Sequence, residues 1–352
     1  MFLHAQSNSY EKGWIYIKLD QTSTQSRQSN VLNLSEITGI QKFEPLRKNV
    51  SALRSEPSIL DGLYKVQINS DLDIQQLCDN LEQYSNVYYA EPVYQEELLY
   101  IPNDPAINAG SQDYLDIISA YAAWDITRGD TSMIMGISDT GVDYFHKDLI
   151  NKMYVNEDDP PNGIDDDNNG YIDDYRGYDF ADRDTSALPG NDYHGTRVAG
   201  IGGAEADNGF GMAGVGINIQ IGALKIFKSE SGSASSAYES IIYAADNDYD
   251  VINLSWGSAN SYSLAAQDII DYAVNEKDLI IVGAAGNTPQ ELNFYPASYD
   301  NVLSVASTEL NDTKASFSTF SYHVDISAPG RGIYGTTSNN GFTAGDGTSF
   351  SS

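Results

Sequence analysis

The chain has 352 residues, a length that corresponds to about two domains, each large enough to bury its own core. It carries 19 Lys and Arg against 50 Asp and Glu, a formal net charge of -31 that repels phosphate backbones and anionic lipid alike. Hydrophobic residues make up 41% of the chain, and no apolar run reaches the roughly 18 residues of a membrane-spanning helix. We therefore expect a folded protein that does not bind nucleic acid and does not span a membrane.

The first hundred residues alternate strand-like and helix-like stretches. The pattern predicts, in order, a strand at 14–19, a helix near 32–38, strands at 40–46 and 62–69, a helix containing residues 74–81 and a strand at 87–94. This βαββαβ order indicates a small α+β domain over residues 11–97, whereas residues 1–10 fit the last part of a signal peptide. Cys78, the only cysteine, lies on the apolar face of the second helix, and we interpret it as a buried hydrophobic residue rather than a reactive thiol.

Residues 98–112 form a different kind of segment, with two prolines and no hydrophobic periodicity, which is typical of a linker or processing region. Beyond it, amphipathic stretches at 234–246 and 263–274 alternate with short apolar runs. These runs occupy residues 133–138, 221–227, 251–256, 279–285 and 302–307. The alternation predicts a mostly parallel, doubly wound α/β sheet over residues 113–352, with active groups at the carboxyl ends of its strands.

Three short motifs in this second region carry reactive groups. They are Asp-Thr-Gly at 139–141, directly after a predicted strand, His-Gly-Thr at 194–196, and Gly-Thr-Ser at 347–349. Asp-Thr-Gly also occurs in aspartic proteases, but these enzymes need two such carboxylates to share a proton, and the sequence has no second Asp-Thr-Gly or Asp-Ser-Gly. An aspartic protease is therefore set aside.

In this order the three motifs resemble those of the subtilisin-like serine peptidases, a family in which Asp, His and Ser follow one another along the chain. Five further segments share the resemblance: INLSWG at 252–257, VGAAGN at 282–287, YPAS at 295–298, SVAST at 304–308 and SAPG at 327–330. The resemblance covers residues 113–352 and implies a subtilisin-like fold. The first domain is similar to the inhibitory propeptide of that family, with a ferredoxin-like fold, which implies a zymogen inhibited by its own propeptide.

The resemblance implies a role for each matched residue. Ser349 is the expected nucleophile, His194 the general base and Asp139 the carboxylate that orients the imidazole, while Asn287 is the expected side-chain donor of the oxyanion hole. A hydroxyl needs such a base because it is a poor nucleophile at neutral pH. The expected activity is hydrolysis of peptide bonds in protein or peptide substrates through an acyl-enzyme.

The substrate is expected to lie extended between two backbone segments, an arrangement that favours broad specificity. The residues implied are Ser231, Gly232 and Ser233 on one side and Ser255, Trp256 and Gly257 on the other. Small residues at Gly283, Ala284 and Ala285 imply an open slot for a large apolar side chain before the scissile bond. The pocket segments have no acidic residue, but the many acidic residues elsewhere leave a processing protease for basic residues as a minor alternative. Arg197 also resembles that branch of the family, which bears on specificity and not on catalysis.

An acidic segment between Asp139 and His194 nearly matches the calcium-loop pattern D-x-[DN]-x-[DN]-G. The expected ligands are Asp165, Asp167, Asn169, the carbonyl of Tyr171, and Asp173. The twelfth loop position is Arg176 instead of glutamate, so the segment is not an EF-hand. It predicts a structural Ca²⁺ site, with a merely solvated acidic loop as the alternative.

Two functions from different classes remain open at this point. The first is a secreted, propeptide-controlled serine endopeptidase, and the second is a catalytically silent relative that binds peptides in the same cleft. The presence of all three triad residues and the oxyanion asparagine favours the enzyme. Because Ser349 stands three residues before the end of the chain, we also expect the helix that it would head to be missing and the 352-residue chain itself to be inactive.

Overall fold

The computed structural model describes most of the chain, and its residues divide into two compact units, Met1–Leu98 and Leu99–Ser352. The described residues are 10–20, 39–46, 58–94, 100–228 and 236–352. The helix predicted near 32–38 and the substrate segment Ser231, Gly232 and Ser233 lie outside them. The division after Leu98 falls at the start of the predicted linker; the assignment of the first unit as a propeptide stays a prediction.

The first unit contains a four-stranded antiparallel sheet in the order β2-β3-β1-β4. Its elements are β1 (Tyr10–Leu19), β2 (Ile40–Pro45), β3 (Leu63–Ile68), α1 (Ile74–Leu81) and β4 (Val87–Tyr94). The side chain of Asp73 caps α1 by accepting a hydrogen bond from the amide of Gln76 at 3.0 Å. Cys78 is 1% exposed. It packs in the core of this unit, as predicted. Burial, aided by nearby acidic groups, raises the pKa of its thiol to about 12, so the thiol stays protonated.

The second unit contains the larger sheet. Its helices are α2 (Pro105–Asn108), α3 (Tyr114–Ile117), α4 (Ala120–Ile126), α5 (His194–Gly203), α6 (Ala237–Asp246) and α7 (Leu264–Asn275). Its strands are β5 (Ile134–Asp139), β6 (Tyr178–Asp179), β7 (Gln220–Lys225), β8 (Val251–Leu254), β9 (Ser258–Ala259), β10 (Ile280–Ala284), β11 (Phe294–Tyr295), β12 (Val302–Thr308), β13 (Ile326–Pro329), β14 (Ile333–Thr337) and β15 (Gly341–Gly345). A short 3₁₀ turn follows at Thr348–Phe350.

Seven of these strands form one sheet in the order β13-β12-β10-β8-β5-β7-β6, and every neighbouring pair is parallel. Alternate residues of a strand belong to different cores: Ile221 and Ala223 pack with α5, whereas Leu224 packs with α6 and α7. Both faces of the sheet are therefore covered, which explains why its strands are continuous apolar runs. The predicted parallel, doubly wound α/β fold is confirmed.

The sheet brings distant parts of the sequence to one edge. Asp139 is the last residue of β5, and its neighbouring strand β8 leads directly into Ser255. The next strand, β10, pairs with β8 and leads towards Asn287. Since parallel strands end at the same edge, these residues collect at the carboxyl ends, where ligands bind in open α/β sheets.

None of the helices within the described residues is both long and apolar enough to cross a membrane.

Candidate active site

Asp139 and His194 form a close, partly buried pair at the carboxyl edge of the sheet. Nδ1 of His194 lies 2.8 Å from Oδ1 and 3.0 Å from Oδ2 of Asp139. The Asp139 side chain is 2% exposed, whereas that of His194 is 28% exposed. The carboxylate thus holds one imidazole nitrogen inside the protein and leaves the ring partly accessible from outside.

The backbone around this pair explains its position. Oγ1 of Thr140 donates to the carbonyl of Asp192 at 2.9 Å and accepts from the amide of Gly195 at 3.0 Å, which ties the end of β5 to the start of α5. A β carbon on Gly195 would lie 2.5 Å from the carbonyl oxygen of Gly141 and 2.9 Å from Cβ of Asp139. Only glycine permits α5 to begin this close to the carboxylate.

Two opposing effects act on the pKa of His194. Burial disfavours the charged imidazolium, but the charge of Asp139 and its hydrogen bond outweigh this effect, so the pKa is raised above its ordinary value. The same carboxylate therefore stabilises the imidazolium that forms when the ring accepts a proton. This is the property required of a general base paired with an orienting acid.

Ser349 lies in the 3₁₀ turn Thr348–Phe350 and is 7% exposed. Its hydroxyl donates to the carbonyl oxygen of Ser255 at 3.4 Å, and within the described residues it makes no hydrogen bond to His194. The ring of His194 instead contacts that of Phe350, with ring centroids 5.4 Å apart. The guanidinium of Arg197 lies over the same Phe350 ring, 5.2 Å from its centroid. The imidazole thus contacts the residue next to Ser349, but the Ser349 hydroxyl is hydrogen-bonded to Ser255 and not to the imidazole.

Asn287 is exposed and its amide is oriented by the residue before the serine. Oδ1 of Asn287 accepts hydrogen bonds from the backbone amide of Thr348 at 2.9 Å and from its Oγ1 at 3.0 Å. Oγ1 of Thr348 also accepts from the amide of Gly286 at 3.1 Å. Because both donors hold the carbonyl end, the Nδ2 end of Asn287 is left as a hydrogen-bond donor beside Ser349.

A cleft of about 520 Å³ opens next to the Asp139–His194 pair. It is lined by Asp139, Thr140, Gly190, Asn191, Asp192, His194, Phe227, Lys228, Ser255, Trp256, Gly257 and Phe294. The predicted segment Ser255–Gly257 thus lies along the cleft. The indole of Trp256 is held in position by a hydrogen bond from its Nε1 to Oγ of the buried Ser138, at 3.0 Å.

The predicted slot residues Gly283, Ala284 and Ala285 lie at the end of β10 and are buried. A β carbon on Gly283 would lie 3.0 Å from Cα of Ala297, so this glycine makes room for protein backbone. The cleft is lined instead by Phe294, a residue that was not predicted from the sequence. The only sequence signal was its position immediately before the YPAS segment at 295–298.

The acidic segment folds around a group of carboxylates. Asp159, Asp165 and Asp167 can each place one oxygen within 4.8 Å of the others. Asp159 is 0% exposed and accepts hydrogen bonds from the amides of Asp166 at 2.9 Å and Asp174 at 3.1 Å. Sequence spacing identified Asp165 and Asp167 but missed Asp159, which lies outside the loop pattern.

The other predicted ligands take different positions. Asn169 lies beside the cluster, with its Nδ2 donating to Asp167 at 3.1 Å. The ring of Tyr171 packs in the core, with its centroid 5.0 Å from that of Tyr243. The carboxylate of Asp173 accepts from the amide of Gly163 at 2.8 Å. The structure therefore brings Asp165, Asp167 and Asn169 together with Asp159, and it uses Asp173 to hold a neighbouring turn.

The chemistry of this donor set fits a hard cation. All three carboxylates offer oxygen ligands, which Ca²⁺ prefers at six to eight positions. The buried carboxylate of Asp174 lies nearby, and its pKa is raised by burial, although hydrogen bonds from Tyr243, Asn169 and Asn156 oppose this. So much negative charge in a partly buried region is compatible with a divalent cation.

Comparison with known proteins decides the family. The model of the subtilase family matches residues 130–352. The chain belongs to the subtilase family. It is 36% identical over 267 residues to the thermophilic serine proteinase of Bacillus sp. strain AK1. The matched region covers 76% of this chain and 60% of that protein. It is 37% identical over 254 residues to thermitase of Thermoactinomyces vulgaris, covering 71% of this chain and 81% of thermitase.

A solved structure supports the same assignment. The structure titled as proteases from Pseudoalteromonas arctica PAMC 21717 superimposes on this subtilase with a TM-score of 0.58 and 26% sequence identity. The superposition covers 72% of this chain and 84% of that one. The resemblance predicted from the motifs is thus confirmed at the level of family and fold.

Proposed function

We propose that this subtilase is a serine endopeptidase that cleaves peptide bonds through an acyl-enzyme. The observation that carries the proposal is the Asp139–His194 pair, with 2.8 Å between Nδ1 and Oδ1, at the wall of a cleft that is also lined by Ser255, whose carbonyl accepts a hydrogen bond from Ser349. A buried carboxylate, a partly accessible imidazole and a serine at one sheet edge form the arrangement needed for nucleophilic catalysis.

The proposed reaction has two halves. Oγ of Ser349 attacks the scissile carbonyl carbon while Nε2 of His194 accepts the hydroxyl proton, and Asp139 stabilises the resulting imidazolium. The tetrahedral intermediate places its negative oxygen near Nδ2 of Asn287 and the amide of Ser349. His194 then gives the proton to the leaving amine, and water repeats the sequence to release the acid and restore Ser349.

The resting hydroxyl must turn for this reaction. Its hydrogen bond to the Ser255 carbonyl, at 3.4 Å, is at the long end for an O–H donor and is therefore weak. Rotation about the Cα–Cβ bond of Ser349 would exchange this acceptor for Nε2 of His194. We propose that an extended substrate favours the exchange, because its backbone pairs with the same Ser255–Gly257 segment.

We also propose that the protein is secreted as a zymogen with the first unit as its inhibitor. A peptidase that recognises mainly substrate backbone would damage the cell that makes it, so it must stay inactive until it has left that cell. Cleavage between Gln95 and Asp113 would separate the two units. Intact mass of the wild type and of Ser349→Ala tests this: processing in the first only supports self-cleavage, whereas equal processing contradicts it.

For the acidic segment we propose structural calcium, held by Asp159, Asp165 and Asp167 with oxygens of their neighbours. Calcium there would supply positive charge that offsets the mutual repulsion of these carboxylates. The alternative, a solvated acidic loop, predicts no effect of calcium on unfolding.

The experiment that tests the enzymatic function is intact mass after treatment with a fluorophosphonate, with Ser349→Ala as the matched control. One covalent adduct on the wild type and none on the variant would support an activated serine. Absence of an adduct after removal of residues 1–112 would contradict the proposal and favour the peptide-binding relative.

A further inference from the structure

The cleft is lined by an aromatic ring, that of Phe294, whereas an open slot was expected from the sequence. Phe294 belongs to β11, which pairs with β9 so that Phe294 faces Ala259. Its backbone is fixed at both ends: the amide donates to Oγ of Ser298 at 3.0 Å, and the carbonyl accepts from the amide of the same residue at 2.8 Å. The ring therefore stands on a rigid support.

Two glycines hold the Phe294 ring between them. A β carbon on Gly257 would lie 2.5 Å from Cε1 and 2.9 Å from Cδ1 of the ring. A β carbon on Gly286 would lie 2.8 Å from Cγ and 2.9 Å from Cδ2. Neither glycine could carry a side chain while the ring stays in place, so the ring fills the space between the two segments.

This space is the one that a substrate side chain would enter. Gly257 ends the segment on which the substrate backbone is proposed to pair, and Gly286 immediately precedes the oxyanion donor Asn287. A substrate carbonyl placed between Ser349 and Asn287 would direct the side chain of its own residue between these two segments.

We propose that Phe294 sets the specificity of this peptidase by closing the slot, so that the residue before the scissile bond (P1) must be small, such as Ala, Ser or Gly. This inference rests on the proposed function and replaces the large apolar P1 side chain expected from Gly283, Ala284 and Ala285. Gly283 is covered by Ala297 and Val302, and none of the three residues lines the cleft.

Binding to Ser349→Ala measures this specificity without requiring catalysis. Two fluorescein-labelled tetrapeptides, identical except for a C-terminal Ala or Phe, are titrated by fluorescence anisotropy against this variant after proteolytic removal of residues 1–112, because a variant that cannot process itself would keep the unit that is proposed to inhibit it. We expect the Ala peptide to bind about 10- to 100-fold more tightly, the range in which apolar pockets discriminate by side-chain size. Equal binding, tighter binding of the Phe peptide, or no binding of either would overturn the inference.

Removing the ring should reverse the preference. Adding Phe294→Ala to the Ser349→Ala background should strengthen binding of the Phe peptide about 10- to 100-fold, because an apolar side chain then fills the vacated space. Phe294→Leu should give an intermediate shift and retains packing if the alanine variant does not fold. Tyr262→Ala is the matched control: its exposed ring contacts Tyr295, with centroids 5.6 Å apart, and it should leave the preference unchanged.

Loss of the proposed function and loss of this inference give different results. A wild type that forms no fluorophosphonate adduct but binds the Ala peptide selectively retains the closed slot and lacks the chemistry. A wild type that forms the adduct but binds both peptides equally is a peptidase whose slot is open.

Discussion

The two halves of the proposed catalytic centre are held by different parts of the protein. Asp139 and His194 are fixed by the sheet, since β5 ends at the acid, α5 starts at the base, and Thr140 joins the two backbones. Ser349 lies in a single 3₁₀ turn, and its hydroxyl contacts Ser255 rather than the base. The proposed acid and base are thus already hydrogen-bonded to each other, whereas the proposed nucleophile would need one side-chain rotation to reach the base.

This difference shows where the chemistry depends on the scaffold. Changes to the first half should alter the base itself, and changes to the second should alter how the serine and the developing oxyanion are presented. The predictions below separate the two halves, beginning with the largest expected effect.

His194→Ala should nearly abolish the reaction. Without the base, the Ser349 hydroxyl cannot pass its proton to the protein, and kcat is expected to fall by about 10⁶-fold, the magnitude known for loss of the histidine in subtilisin itself. The measurement is the rate of adduct formation with a fluorophosphonate. An unchanged melting temperature shows that the fold survives, and a rate within 10-fold of wild type would disprove the role of His194 as general base.

Asn287→Ala should lower kcat by about 10²- to 10³-fold with little change in KM, again a magnitude taken from subtilisin. Asn287→Asp is the more severe variant, because it keeps the oxygen that accepts from Thr348 but replaces the donor with a second, negatively charged oxygen that would repel the developing oxyanion. Both variants should be impaired. If Asn287→Asp retains the wild-type kcat, the donor has no part in the reaction and the residue only supports the turn.

Gly195→Ala tests how closely the first half is packed. The added β carbon would lie 2.5 Å from the Gly141 carbonyl, so α5 must shift away from Asp139. We expect a loss of about 10²-fold in kcat/KM from misplaced groups and a destabilisation of about 1–3 kcal/mol.

Gly202→Ala, in the same helix, is the control for Gly195→Ala. Its β carbon would meet only the end of the flexible Met135 side chain, at 2.3 Å from Cε. A control variant as impaired as Gly195→Ala would show that any alanine in this helix is harmful and that the contact with Asp139 is not special.

Removal of calcium should have the smallest effect, and we expect it to lower the stability of the folded chain. If the cluster binds calcium, a ligand concentration 100 times its Kd stabilises the folded chain by about 2.7 kcal/mol, and excess chelator should lower the melting temperature by several degrees. Asp159→Asn should remove most of this dependence. Asp173→Asn should retain it, because Asp173 holds the Gly163 turn instead of the cluster. Equal dependence in both variants would exclude Asp159 as a ligand.

Much of the proposed catalytic centre could be predicted from the sequence because its residues occupy positions defined by local signals. Asp139 follows an apolar run that had to be a strand, and His194 opens a stretch of small residues that forms α5. Parallel strands then bring such positions to one edge whatever the loops between them do.

The remaining features depend on contacts between residues far apart in the chain. Phe294 closes the slot only because β11 pairs with β9, and no local pattern indicates that Gly257 and Gly286 lie on either side of it. Asp159 lies outside the loop pattern, because spacing along the sequence does not indicate that a residue from an earlier turn joins the cluster. The hydrogen bond from the amide of Thr348 to Asn287 likewise joins residues that are far apart in the sequence.

The most direct test of the account is the pH dependence of fluorophosphonate labelling at Ser349, in the wild type and in Asp139→Asn. The neutral imidazole is the active form, and Asp139 raises the pKa of His194, so the wild-type rate should rise with pH along a single-proton curve whose midpoint lies above 6.5, the ordinary value for histidine. Asp139→Asn should label about 10⁴-fold more slowly, as seen when a triad acid is neutralised. A wild-type rate independent of pH, or equal rates in the two proteins, would contradict the claim that Asp139 and His194 activate this serine.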